Sequence, residues 1–363
     1  MPALPRSAVT VLSLSVSVAA ALLAAGCGTD PAPGDRQPPL GAPGGVASTA
    51  TPPGQADTSV PVALAGAPLF VDPTGAAADQ VRLWQAAGQA EQADQLRRIS
   101  EQPMAVWITS STAQVAADVD AALTRAATSG GMPVLVAYHI PDRDCGSFSG
   151  GGAVDGGDYQ AWIRQFAAGI AGRPVTVIVE PDAVAHSLDS CGAAGAGGAR
   201  LELLAEAVAV LKQTGTAQVY LDAGHPRWIS DLGRLADALR QAGIDQADGF
   251  ALNVSNFIGT AENVEYGHRL SDALGGRTRF VIDTSRNGAG PADGASVAGG
   301  PAWCNPPGRR LGETPTTTPG LDRVDALLWI KRPGESDGDC RPGEPPAGQW
   351  WPEYALQLAA QAG

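Results

Sequence analysis

The chain has 363 residues and a formal net charge of −13, from 37 acidic against 24 basic side chains. That balance excludes nucleic acid and an anionic membrane surface as main partners, since both are bound through a positive field. A folded portion of about 300 residues buries roughly three quarters of its unfolded surface, so it needs no cross-link merely to fold.

Residues 1–27 begin with a positive Arg6, continue through an apolar or small run from Val9 to Leu23, and end in Ala24-Ala25-Gly26-Cys27. This pattern reads as an export signal whose apolar part is too short for a membrane span. Small residues before a cysteine resemble a bacterial lipoprotein cleavage box, so Cys27 is the expected lipidation site and the protein is expected at the cell surface or secreted. Of the five cysteines, Cys145, Cys191, Cys304 and Cys340 then remain as an even set suited to two disulfides, with three connectivities open. Residues 28–63 are rich in Pro, Gly, Ala, Ser and Thr without apolar periodicity, and read as a disordered spacer. Residues 64–363 read as one folded domain.

Within it, apolar runs at 104–109, 133–139, 175–180, 218–222, 249–254, 280–283 and 326–331 predict strands. Amphipathic, alanine-rich stretches at 75–87, 112–128, 159–171, 200–214, 229–242 and 262–274 predict helices. Seven strands separated by helical material is the pattern of a parallel α/β fold. No Gly-x-Gly-x-x-Gly follows the first strand and no Walker loop is present, so nucleotide cofactors have no support. The Val175-Thr-Val-Ile-Val179 run is β-branched throughout, as in a strand buried on both faces, and it ends in Glu180-Pro181-Asp182. The bland alternative makes Asp182 the N-cap of a helix at Ala183.

The strand ends decide between these readings. The second strand runs into Tyr138, Arg143 and Asp144; the third into Glu180 and Asp182; the fourth into Asp222, His225 and Trp228. The fifth gives Asn253 and Asn256, the sixth Asp283 and Arg286, and the seventh Lys331, Glu335 and Asp337. One polar strand end is ordinary capping; six at one rim are a site. Asp283 and Arg286 read as a structural ion pair. Gly-x-Ser-x-Gly is absent, which removes an α/β-hydrolase nucleophile. Paired carboxylates with tryptophans suit sugar chemistry, in which one acid protonates the leaving oxygen and a second carboxylate works across the ring. Trp107, Trp228 and Trp303 would serve as stacking platforms.

These residues carry a family resemblance. Tyr138-His-Ile-Pro-Asp-Arg-Asp-Cys-Gly and Val177-Ile-Val-Glu-Pro-Asp-Ala look like the two signatures of glycoside hydrolase family 6, the inverting cellulases. Blocks from Tyr220 to Trp228, Ala251 to Phe257, Ile282 to Pro291 and Trp329 to Asp337 resemble further family segments in the same order. The resemblance implies a distorted, incomplete α/β barrel of about seven parallel strands, and hydrolysis of a β-1,4-glucan with no metal or cofactor. It implies Asp182 as general acid, Asp144 as remote base, and Asp337 and Asp222 as further members of the catalytic set. Substrate-binding roles fall to Trp107, Tyr138, His225, Trp228, Asn256, Trp303, Lys331 and Glu335. It also implies the pairings Cys145–Cys191 and Cys304–Cys340, each at the base of a loop bordering the cleft. Both loops are short, which favours internal over chain-end attack, hence an endo-β-1,4-glucanase, expected as a monomer. Cellobiohydrolase-type action and a non-catalytic glycan-binding lipoprotein are the alternatives. A metal-dependent hydrolase built on Asp222 and His225 would lack further histidine ligands.

Overall fold

The computed structural model describes residues 63–189 and 196–360. The expected export signal, Cys27, nearly all of the spacer, and Cys191 lie outside the described residues. Seven parallel strands form one sheet in chain order: β1 (Val106–Ile108), β2 (Val134–Ala137), β3 (Val175–Val179), β4 (Ala217–Asp222), β5 (Gly249–Leu252), β6 (Arg279–Asp283) and β7 (Val324–Leu328). All seven expected strands are present.

The continuous apolar character of these strands has a direct cause, because both faces are covered. Val175, Val177 and Val179 point into an outer layer against the helices, while Ile178 joins Val136, Tyr220, Val281 and Leu328 in a second, inner cluster. Period-two alternation thus feeds two cores at once, and β-branched side chains fill both. The sheet curls until its edges meet without forming a ladder. The Ala105 N–H donates to the Trp329 carbonyl at 3.0 Å, and the Trp107 indole N–H to the Ile330 carbonyl at 2.8 Å. The start of β1 therefore meets the far end of β7, the stagger expected of a tilted barrel that stops short of closing.

The helices are α1 (Ala76–Ala86), α2 (Ala90–Ser100), α3 (Val115–Ser129), α4 (Gly156–Ile170), α5 (Ala183–Leu188), α6 (Ala196–Lys212), α7 (Leu232–Gln241), α8 (Thr260–Ala273) and α9 (Pro352–Ala360). Six match the expected stretches. Local chemistry sets their ends: the Asp155 and Asp231 carboxylates accept from the Asp158 and Arg234 N–H groups, capping α4 and α7. Of the other three, α5 stands where the capping alternative put a helix, and α2 and α9 were not expected. α2 buries only Ala93, Leu96 and Ile99, a stripe too narrow to stand out; with α1 and α9 it buries Trp329 and Leu311.

Two expectations need correction. Helical material does not separate every pair of strands, since residues 284–323 between β6 and β7 contain only a two-stranded hairpin, Ser296–Val297 with Gly300–Pro301. That segment is dense in Gly and Pro, which cannot sustain a helix. The last strand also ends earlier than its apolar run, because the Lys331 N–H donates to the Asp283 carboxylate instead of to a ladder.

Candidate active site

Glu180 organises the rim from below. It is fully buried, and its carboxylate accepts from the His139 N–H at 3.0 and 2.9 Å and from the Ile140 N–H at 3.0 Å. This clamps the exit of β2 to the exit of β3. Burial pushes its carboxyl up to about 7. Glu180 and Asp182 both adopt left-handed backbone, with φ of 46° and 71°. Such strain persists only where surrounding contacts overdetermine it.

The turn sets Asp182 at the N-cap position of α5, yet its side chain makes no cap bond. The capping reading therefore holds for position and fails for chemistry. The Asp182 N–H donates to Asp222 Oδ1 at 2.9 Å, an oxygen that also accepts from the Gly224 N–H at 3.1 Å, while Asp222 Oδ2 has no partner. Burial raises the Asp182 carboxyl well above the usual range, and the charges of Asp222 and Asp144 add to it. Burial likewise lifts Asp222 to about 7, against the two N–H donors. Asp144 is raised by burial too; it accepts the Ser149 N–H at 2.7 Å, and Arg143 and His186 pull it back.

Arg143 is held by carbonyls: its Nε donates to Ser149 O at 2.8 Å and its Nη1 to Tyr138 O at 2.9 Å. Its guanidinium also lies 5.0 Å from the centre of the Tyr138 ring. Tyr138 is buried and meets Trp107 edge-on at 5.2 Å. Its hydroxyl is raised by burial and then by the nearby charges of Asp182 and Asp144. Gly152, at φ of 98°, lets the loop after β2 fold back, since a Cβ there would stand 2.0 Å from the Ile140 carbonyl oxygen.

Asp337 sits in the opposite electrostatic setting. Its Oδ2 accepts from Arg286 at 2.8 Å and from the Asn305 N–H at 3.0 Å, and its Oδ1 lies 3.2 Å from Lys331 Nζ. Burial alone would raise this carboxyl, but the two cations outweigh it and hold it below its ordinary value. Arg286 thus pairs with Asp337 and not with Asp283, contrary to the sequence expectation. The Asp283 carboxylate is taken by the N–H groups of Ser255, Ser285 and Lys331, which leaves Arg286 to turn toward the seventh strand's loop.

Among the other expected site residues, Trp228 meets the rings of His186 at 5.0 Å and His225 at 5.9 Å. Burial lowers His225 to about 4, so its ring is neutral near pH 7. Trp303 is 45 % exposed, and its ring lies 5.9 Å from that of Phe148, itself 39 % exposed. The Asn256 amide donates to the Val254 carbonyl at 3.2 Å, and Glu335 pairs with Arg332 at 3.0 Å. Cys304 and Cys340 are joined in a disulfide. Cys191 of the other expected pair lies outside the described residues.

Asp144 and Asp222 thus act on Asp182 in one set with raised carboxyls, while Asp337, past the end of β7, has a lowered one. Sequence reading missed Asn305, which also accepts the Asp337 N–H at 2.7 Å, and nothing local marks it. It also missed His186, whose place four residues after Asp182 was a readable signal, because residues i and i+4 share a helix face.

Three comparisons address identity. The profile of Glycosyl hydrolases family 6 matches residues 64–362. Endoglucanase A of Cellulomonas fimi is 45% identical over 296 residues, covering 81% of this chain and 61% of that protein. The chain thus spans less than two thirds of that relative. Endoglucanase 1 of Streptomyces halstedii is 43% identical over 267 residues, covering 72% of this chain and 79% of that protein. Relatives named cellobiohydrolases stand lower, at 30% and 31%. The solved endoglucanase Cel6 from Mycobacterium tuberculosis, in complex with methyl-cellobiosyl-4-deoxy-4-thio-β-D-cellobioside, superposes with a TM-score of 0.77 at 43% identity, over 83% of this chain and 99% of that one. With seven parallel strands in a barrel left open and carboxylates gathered along its rim, this chain belongs to Glycosyl hydrolases family 6.

Proposed function

We propose that the chain is an inverting endo-β-1,4-glucanase acting on cellulose or a related β-glucan. The observation that carries the reading is the division of protonation along one rim. Asp182, in a site that raises its carboxyl, stays neutral at working pH, while Asp337 is held ionised. Two carboxyl groups driven apart in this way supply the acid and the anionic partner that glycoside hydrolysis needs. Asp182 gives its proton to the glycosidic oxygen as the bond to the anomeric carbon breaks. Water attacks that carbon from the opposite face, and its proton passes to Asp144.

Asp144 suits the base role better than Asp337. It has one N–H donor and a raised affinity for protons, whereas Asp337 is saturated by two cations and Asn305. Asp337 then acts as an electrostatic anchor, and Asp222 tunes Asp182. Trp107, Trp228 and Trp303 stack on sugar rings, Tyr138 crowds the ring at the cleavage point, and His225, Asn256, Lys331 and Glu335 hydrogen-bond to hydroxyls. No metal or cofactor enters these steps. Relatives named endoglucanases, at 43% and 45% identity, support internal attack.

The test is incubation of the purified domain with carboxymethylcellulose. Viscosity should fall much faster than reducing ends accumulate, the first product should be the α-anomer by proton NMR, and Asp182→Ala should abolish both. Release of cellobiose from chain ends without loss of viscosity would overturn the endo reading, and a β-anomer would overturn inversion.

We also infer that residues 1–27 direct export, Cys27 carries lipid, residues 28–63 form a spacer, and residues 64–363 act as a monomeric catalytic domain. The Cys304–Cys340 bridge supports an oxidising destination. Cys27→Ala should move the protein from the membrane fraction to the medium; unchanged fractionation would remove the anchor.

A further inference from the structure

We propose that His186 is a positioning residue of this site: its imidazole docks the Trp228 ring onto the helix that carries Asp182 and presents its charge to Asp144. The proposal rests on the reading of Asp182 as acid, Asp144 as base and Trp228 as a sugar platform.

The geometry begins with α5, a helix of six residues entered at Asp182. The His186 N–H donates to the Asp182 carbonyl at 2.8 Å, so acid and imidazole stand one backbone turn apart. The His186 ring then meets Trp228 at 5.0 Å and 69°, an edge-to-face contact. From its own loop Trp228 rests over Gly224, where an added Cβ would lie 3.4 Å from the indole, and beside His225. The platform is therefore held by its own loop below and by the acid's helix at its side. Any shift of α5 moves the proton donor and the platform together.

Packing alone does not explain an imidazole here. His186 Nδ1 is buried without a hydrogen-bond partner, a cost that a phenyl ring of similar shape would avoid. The charged groups acting on the ring are Asp144 from the β2 loop, Asp189 from the end of α5, and Arg200 from α6. Burial and Arg200 disfavour the imidazolium, while Asp189 and Asp144 favour it. The net effect is that the ring holds its proton less firmly than a free imidazole. Once charged, it favours the ionised form of Asp144. The sign follows: His186 extends the acid side of the activity profile by keeping the base deprotonated there.

The experiment measures kcat and KM for a soluble cello-oligosaccharide from pH 4 to 8 in the parent, His186→Phe, His186→Gln, His186→Ala, Trp228→Ala and the Ala double variant. His186→Phe keeps a ring against Trp228 and removes the charge. Its acid limb should move to higher pH by about half a unit, about threefold in rate on that side beyond any change at pH 7. His186→Gln should show the same displacement, which keeps the test decisive if the phenyl variant fails to fold. His186→Ala should also raise KM, and its effect should not multiply with that of Trp228→Ala. An acid limb coincident with the parent's in both charge-free variants overturns the electrostatic half. Independent, multiplying KM effects of His186→Ala and Trp228→Ala overturn the docking half. An unchanged KM in Trp228→Ala refutes the platform reading itself and the docking built on it, while the limb displacement still judges the charge.

Discussion

Replacing Asp222 by Asn tests the electrostatics of the proposed proton donor, Asp182, most directly. The amide oxygen of Asn can still accept from the Asp182 and Gly224 N–H groups, now at 2.9 and 3.1 Å, so the substitution removes charge and little else. The Asp182 nitrogen is in hydrogen-bond contact with Asp222, and two full charges about 5 Å apart at an effective dielectric of about 20 would repel by ~3 kcal/mol, roughly two pKa units. Asp222 is itself raised to about 7 and only partly ionised near neutrality, which reduces the realised effect. We expect about one unit. The sign follows from the mechanism. In the proposed mechanism Asp182 works protonated, and losing a neighbouring negative charge lets it ionise at lower pH, so the alkaline limb of kcat/KM moves down. On the alkaline limb activity should fall by up to about tenfold, while activity at pH 5 stays within about twofold of the parent. Initial rates on a soluble cello-oligosaccharide in half-unit steps from pH 4 to 9, with circular dichroism to verify folding, make the measurement. An alkaline limb that stays in place or moves upward would refute the reasoning.

Two further predictions concern stability. Glu180 has a folded-state pKa of about 7 against an ordinary 4.5, raised by burial, so the stability it permits below pH 4.5 is lost as pH rises through about 7; the loss amounts to ~3 kcal/mol. Glu180→Gln should start less stable, because its amide cannot replace both carboxylate oxygens as acceptors, and the gap to the parent should narrow between pH 4.5 and 8 in urea melts; a constant gap would be the contrary result. Arg286→Met leaves Asp337 with Lys331 and Asn305 alone, and removing one partner of a buried pair costs about 3–5 kcal/mol. Because the folded-state pKa of Asp337 is lowered, the pair's contribution is present above the usual value of 3.8 and lost as pH falls through the folded value. The cost should therefore be greatest at pH 7 and shrink in acid, and an equal cost at both would contradict the assignment.

The strands were legible because burial on both faces leaves a direct mark on composition: Val175 to Val179 is β-branched only because two cores claim it. The residues at the strand ends were legible for the converse reason, since charge next to such runs has to stand at a rim. Motif order added the family, and the chain alone thus determined the sheet, the rim at which the candidate site lies, and which carboxylates stand at that rim. It did not determine their charge states. Asp182 and Asp337 are the same side chain in similar sequence settings, and only the three-dimensional neighbours separate them: two carboxylates beside one, two cations beside the other. Arg286 looked like the partner of Asp283, three residues away, but backbone N–H groups satisfy that carboxylate and free the guanidinium to reach Asp337, 51 positions on. The Asn305 contact, the meeting of β1 with β7 and the Phe148–Trp303 pair likewise join segments far apart in sequence. Local pattern encodes which surface a residue faces. Proton affinity depends on what lies within a few ångströms in space, and only the tertiary structure decided that.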